Sequence, residues 1–153
     1  MPNSLEAAIF LFICFLPGII GLQFSPGQWY TALSKPSWTP PGWIFAPVWT
    51  ILYFMIGMSG YWAWNNSDSR NRKAAFCVFA LQLALNATWS CVFFGLHNIS
   101  VSVINILALW VFILMNTVFF YRLSAVAGYL LIPYLVWVGY AAVLNWSIWR
   151  LKT

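Results

Sequence analysis

Residues 101–149 read VSVINILALWVFILMNTVFFYRLSAVAGYLLIPYLVWVGYAAVLNWSIW, and Arg122 is the single charged side chain among them. The apolar runs on either side of Arg122-Leu123-Ser124 each reach the length of about 20 residues that an α-helix needs to cross a bilayer. They are continuous rather than alternating, so the backbone groups can be satisfied inside lipid by helices but not by barrel strands. The stretch therefore reads as two membrane helices joined by a tight turn.

Working outward, residues 101–121 and 125–149 become the fourth and fifth spans. Leu96 to Ser100 forms a short turn with the only histidine, His97. The third span covers roughly 74–95. Before it, Asn65 to Lys73 is the most polar stretch of the chain and reads as a loop. The second span covers roughly 43–64. Pro40 and Pro41 suit its first turn, where N–H groups lack intrahelical partners anyway, and Pro47 further in predicts a kink. The first span covers roughly 5–22, with Glu6 in its first turn, where the helix dipole favours a carboxylate. The segment Gln23 to Gly42 is too polar to cross.

Composition agrees. Of 153 residues, 63% are hydrophobic and 6% charged, against about 25% charged in soluble domains, and mean hydropathy is +0.81. The reading is a single domain over residues 1–153: an all-α integral membrane protein, a five-helix bundle with a long first loop acting as a lid. The net charge of +5 does not indicate nucleic-acid binding. Lys35, Arg70, Arg72, Lys73, Arg122, Arg150 and Lys152 all lie between or after apolar runs, where cations meet lipid headgroups. Four fall on the side of the N-terminus and three on the other, a difference too small to orient the chain. Cys14, Cys77 and Cys91 lie in apolar runs without metal-ligand spacing. The N-terminus does not read as a secretory signal, since no Lys or Arg precedes the apolar run and no small-residue cleavage site follows.

No span carries an ionisable residue near its middle and no inverted repeat is visible, which argues against an ion-coupled transporter. Neutral polar and aromatic residues are the better clue. Gln82, Asn86, Trp89 and Phe93 recur at i, i+4, i+7 and i+11, one helical face, with Ser90 beside them. Tyr134, Trp137, Ala141 and Asn145 make a similar stripe on the fifth span. Trp49 and Tyr53 lie one turn apart on the second, and the fourth offers Asn105 and Asn116. Such amides also serve as interhelical hydrogen-bond glue. Trp43, Trp62, Trp64 and Trp149 sit where interface anchors belong, whereas Trp49, Trp89 and Trp137 lie inside their spans. Rings and amides converging in a bundle suit a flat, mostly apolar ligand. The first loop, with Trp29, Tyr30, Lys35-Pro36, Trp38 and Pro40-Pro41, is long and stiffened, as lids and binding loops are. Two roles are open to Lys35, a ligand carboxylate or a lipid phosphate. His97 reads as an interfacial polar residue rather than a haem ligand. No nucleophile–base pair, paired carboxylates or phosphate loop is visible, and no metal or resident cofactor is expected.

The segments Trp29-Tyr-Thr-Ala-Leu-Ser-Lys-Pro-Ser-Trp-Thr-Pro-Pro-Gly-Trp43, Val48-Trp-Thr-Ile-Leu-Tyr53, Leu85-Asn-Ala-Thr-Trp-Ser-Cys-Val-Phe-Phe-Gly95 and Pro133-Tyr-Leu-Val-Trp137, with Ala141 to Asn145, resemble the TspO/MBR family of tryptophan-rich sensory and translocator proteins. The resemblance implies a five-helix bundle whose pocket is closed by the first loop. It implies binding of porphyrins, notably protoporphyrin IX, and of benzodiazepine or isoquinoline ligands, with a role in tetrapyrrole sensing, regulation or stress response. Tyr30 would lie over the pocket, with Trp49, Asn86, Trp89, Ser90, Trp137 and Ala141 lining it and Tyr53 beside Trp49. Two alternatives accompany this reading. One is a light- and oxygen-dependent porphyrin-degrading enzyme, with Trp49 and Trp137 as its catalytic residues. The other is a transporter of porphyrin or another apolar ligand. The family also implies a homodimer, for which Ala80, Ala84 and Ala87 offer close approach, and a bacterial cell membrane as location. The stretch Leu144-Asn-Trp-Ser-Ile-Trp-Arg150 departs from the cholesterol motif of animal members, because Tyr140 is too far from Arg150. Cholesterol recognition is not expected.

Overall fold

The computed structural model describes residues 3–24, 26–66 and 69–152, the side chains of 69–71 excepted. The helices are α1 (Ser4–Leu22), α2 (Gln28–Ala32), α3 (Phe45–Asn65), α4 (Ser69–Ser90), α5 (Ile99–Leu123) and α6 (Ala125–Lys152). A 3₁₀ turn at Gly42–Ile44 leads into α3, and a π turn at Cys91–Gly95 ends α4. Five of these elements are long and apolar enough to cross a membrane. The five pack as a closed ring in which neighbours follow the order α1, α3, α6, α5, α4 and back to α1. Side chains fill its centre.

Local sequence explains the ends. The Asn3 side chain accepts from the Leu5 N–H at 3.2 Å and opens α1, with Glu6 in the first turn. Asn98 does the same for Val101 at the head of α5. Both place an amide oxygen on a donor that the helix itself leaves unpaired. Between α5 and α6 only Ser124 is extended, with φ −155° and ψ 124°. One residue reverses the chain, and α5 and α6 leave the turn in close contact. Gly128 makes this possible: a Cβ there would lie 2.5 Å from Tyr121 Cβ and 2.7 Å from Tyr121 Cα. Further along the same seam the Trp110 indole covers Gly139 and donates to the Leu135 carbonyl at 3.1 Å.

Two local expectations are corrected. The polar stretch Asn65 to Lys73 is not a loop throughout, because α4 begins at Ser69. Asp68 and the Arg70 side chain, read as part of that loop, lie outside the described residues. Pro47 does not sit deep in a helix. With α3 starting at Phe45, it occupies the first turn, where a missing N–H removes no hydrogen bond.

The outside of the ring is apolar, and its mainly apolar core also holds a set of buried polar side chains. Phe12, Ile51, Ile104 and Val136 are exposed, while Ser59, Gln82, Asn86, Ser102, Asn116 and Asn145 are buried. Each buried amide or hydroxyl is tied to another helix or to its own backbone. Ser59 donates to the Ala127 carbonyl at 2.7 Å, joining α3 to α6. Asn116 donates to the Ala75 carbonyl at 3.2 Å, joining α5 to α4. Asn145 donates to Ser102 Oγ at 3.1 Å, and Ser102 donates to the Ile99 carbonyl at 2.8 Å. Lipid supplies no competing water, so polar groups turn inward and the hydrocarbon-facing surface stays apolar. The chain is a multi-pass integral membrane protein.

Candidate functional site

The centre of the ring is crossed by a directional chain of hydrogen bonds. Tyr53 of α3 donates to Asn86 Oδ1 at 3.0 Å. Asn86 Nδ2 of α4 donates to the Tyr134 hydroxyl of α6 at 2.7 Å. Tyr134 in turn donates to Gln82 Oε1 of α4 at 2.9 Å. Gln82 and Asn86 reach this chain together because i and i+4 share a helical face. All four side chains are buried, and the chain ends on a Gln82 Nε2 that has no partner.

Aromatic rings surround the chain. Trp49 stacks on Tyr53 with centroids 5.3 Å apart and meets Tyr134 edge-on at 6.2 Å. Trp137 of α6 packs edge-on against Phe45 at the start of α3 and, at a tilt of 37°, against Tyr140 one turn further along α6. The Tyr140 hydroxyl donates to the Trp38 carbonyl of the first connection at 3.0 Å. Trp49, Trp89, Trp137 and Ala141 all pack on one core cluster. The indole N–H groups of Trp89 and Trp137 are buried without an acceptor. An orphaned buried donor costs roughly 1–3 kcal/mol, so an acceptor at either indole would be stabilising.

Tyr30 lies in a second layer. Its ring and that of Trp29 meet Phe93 edge-on at 6.2 and 5.6 Å, and Tyr30 also meets Phe94 at 5.6 Å. Phe93 stacks on Trp89 at 5.1 Å, so Trp89 belongs to both layers and joins them. Burial, and then the neighbouring Tyr140, push the Tyr30 hydroxyl above the usual tyrosine range. Ser90 stands apart from the hydrogen-bond chain, with its Oγ 3.3 Å from where a Cβ on Gly21 of α1 would be.

Of the residues read from the sequence, Trp49, Tyr53, Asn86, Trp89, Trp137 and Ala141 gather on the central core, with Tyr30 above and Ser90 towards α1. The rings pack closely, with Trp49 on Tyr53, Trp89 on Phe93 and Trp137 on Phe45. Two cavities that stand out lie elsewhere, one of about 400 Å³ beside Trp149 and one of about 120 Å³ beside Arg122. Lys35 turns back on its own loop. Its Nζ donates to the carbonyls of Tyr30 and Leu33 at 2.5 and 3.0 Å and lies 4.6 Å from the Tyr30 ring centroid, capping the C-terminal end of α2. Gln82 and Tyr134 are the central residues that the list of lining positions lacked, although both lay in the stripes. Phe45 and Tyr140 gave no signal, since each is one apolar aromatic among many.

The whole chain compares closely with known proteins. The model of the TspO/MBR family matches residues 8–150. The tryptophan-rich protein TspO of Chlorobaculum tepidum is 40% identical over 152 residues, covering 97% of this chain and 96% of its own. Protein CrtK of Rhodobacter capsulatus is 35% identical, covering 95% and 91%. The translocator protein of Bos taurus is 32% identical, covering 97% and 91%. A family match over nearly the full length, carried by a bundle with five membrane helices, means that this chain belongs to the TspO/MBR family.

Proposed function

We propose that the chain binds a flat aromatic ligand of the porphyrin class, such as protoporphyrin IX, and benzodiazepine- or isoquinoline-type ligands, between α3, α4 and α6. The α2 segment acts as the lid. The role that goes with such binding is tetrapyrrole sensing, regulation or stress response. The observation that carries the reading is the pair of buried, unpartnered indole N–H groups of Trp89 and Trp137 among rings on converging helices. A porphyrin or a fused-ring amide offers the acceptor these groups lack, a nitrogen or oxygen for the N–H, along with a further ring face. Ligand pockets of this kind need roughly 300–1,000 Å³, so the central rings must part as the ligand enters. The layer of Trp29 and Tyr30 over Phe93 is the part placed to move with them. The same reading includes a homodimer through α4, where Ala80 and Ala84 leave a face of small exposed side chains.

Quenching of tryptophan fluorescence by protoporphyrin IX in the purified protein is the test. Trp137→Ala removes both a ring and a donor and is expected to weaken binding about tenfold, the effect of roughly 1.4 kcal/mol. Trp137→Phe keeps the ring and is expected to lose only part of that. Unaltered affinity in both variants would place the ligand elsewhere.

A further inference from the structure

A second site stands away from the aromatic centre and does not depend on it. Where the π turn of α4 passes into α5, a groove of about 400 Å³ is lined by residues 96–100, Trp149 and Lys152. It lies where α5 begins and α6 ends, which is the headgroup level of a chain that spans a bilayer. Its lining is polar for so apolar a chain: the Lys152 ammonium, the His97 imidazole, the Asn98 amide and the Ser100 hydroxyl. Trp149 forms one wall and donates from its indole to Ser100 Oγ at 3.0 Å. No acidic side chain lines the groove. Glu6 opens α1 on the opposite face, and Asp68, the only other acidic residue, lies in sequence between α3 and α4.

We propose that this groove holds the phosphodiester headgroup of an anionic lipid from the adjoining leaflet. Lys152 supplies the charge, the His97 and Asn98 side chains supply donors, and the Trp149 indole packs at the level of the glycerol, where tryptophan is favoured. Basic pockets between membrane helices take anionic headgroups on this principle. The site also reaches the lid. The His97 ring stacks on Trp29 of α2 with centroids 4.1 Å apart and planes 21° from parallel, and His97 holds this place with a left-handed backbone, φ 53°. A headgroup that bonds the His97 ring edge fixes that ring in its stack on Trp29, and Trp29 belongs to α2. Headgroup occupancy therefore steadies α2.

The chain has a single histidine, so its ring resonances report this site without assignment ambiguity. In neutral detergent micelles, dihexanoyl phosphatidylglycerol is expected to shift the His97 ring signals saturably. Dihexanoyl phosphatidylcholine is expected to bind at least about fivefold more weakly. Lys152→Gln, a change at an exposed position in the last turn of α6, is expected to weaken the phosphatidylglycerol response about fivefold, the factor one interfacial lysine contributes toward anionic lipid. Inorganic phosphate is expected to give no saturation over the same range. Saturation by inorganic phosphate at equal affinity would make this a free-anion site and overturn the lipid assignment. Equal binding of the two lipids, an unaffected Lys152→Gln variant, or no saturable shift would overturn the site itself.

Discussion

Gly128→Leu is expected to leave little correctly folded protein. The α5–α6 seam is the broadest helix contact in the ring, and the turn that starts it contains one extended residue, Ser124. A short turn gives the two helices no room to separate near their joined ends. At Gly128 even a Cβ would lie 2.5 Å from Tyr121 Cβ and 2.7 Å from the Tyr121 backbone. A flexible side-chain tip could rotate away, but a Cα cannot move without the helix. Overpacking a core costs about 1–3 kcal/mol where side chains can adjust, and a backbone collision exceeds that range. Gel filtration and thermal unfolding in detergent give the readout. A monodisperse variant that melts within a few degrees of wild type would show that the hairpin is looser than its geometry.

The second large effect is expected at the central hydrogen-bond chain, and its signature is an order rather than a single value. Tyr53→Phe removes one bond at the end of the chain and strands Asn86 Oδ1. Asn86→Leu removes two and strands the Tyr53 hydroxyl, while Tyr134 still reaches Gln82. Tyr134→Phe removes two from the middle and strands amide groups of both Asn86 and Gln82. A hydrogen bond between membrane helices averages only about 0.6 kcal/mol, with an upper range near 1.7. A stranded buried polar group adds roughly 1–3 kcal/mol. Tyr53→Phe should therefore cost roughly 2–3 kcal/mol, Asn86→Leu roughly 2–4 kcal/mol, and Tyr134→Phe the most, roughly 3–6 kcal/mol. Reversible unfolding in mixed micelles measures all three. Equal losses across the series would mean that the groups act as separate pairs and not as one chain.

The five crossings were legible because hydropathy reads burial in lipid directly, and runs such as residues 101–121 and 125–149 leave no other option. The reading stopped where polarity and helicity part. The first turns of α4 are polar yet helical, since a helix that projects beyond the hydrocarbon needs no apolar face, and hydropathy there sees only charge. The five-residue α2 is too short to show a period. Within the site, helical spacing brought Gln82, Asn86 and Trp89 onto one face and Tyr134 and Trp137 onto another. It could not say which of them would bond across the ring, because that depends on how far α3, α4 and α6 stand apart. Lys35 illustrates the same limit. A cation in a loop has many candidate partners in sequence, and here the carbonyls of its own loop lie nearest.

The π turn at Cys91–Gly95 is one residue richer than an α turn. The Leu96 N–H reaches back five residues to Cys91, and the Asn98 N–H reaches back six to Val92. That surplus makes α4 unequally tolerant of length changes. A one-residue deletion within 91–95 can be absorbed by rewinding to α geometry, leaving α5 and the Trp89 side where they were. The same deletion between Phe79 and Gln82 would rotate every later residue of α4 by about 100° and carry Asn86 off Tyr53 and Tyr134. Shortened chains of this kind should stay folded in the first case and lose the central hydrogen-bond chain in the second, so the register of α4 is guarded in its middle and slack at its end.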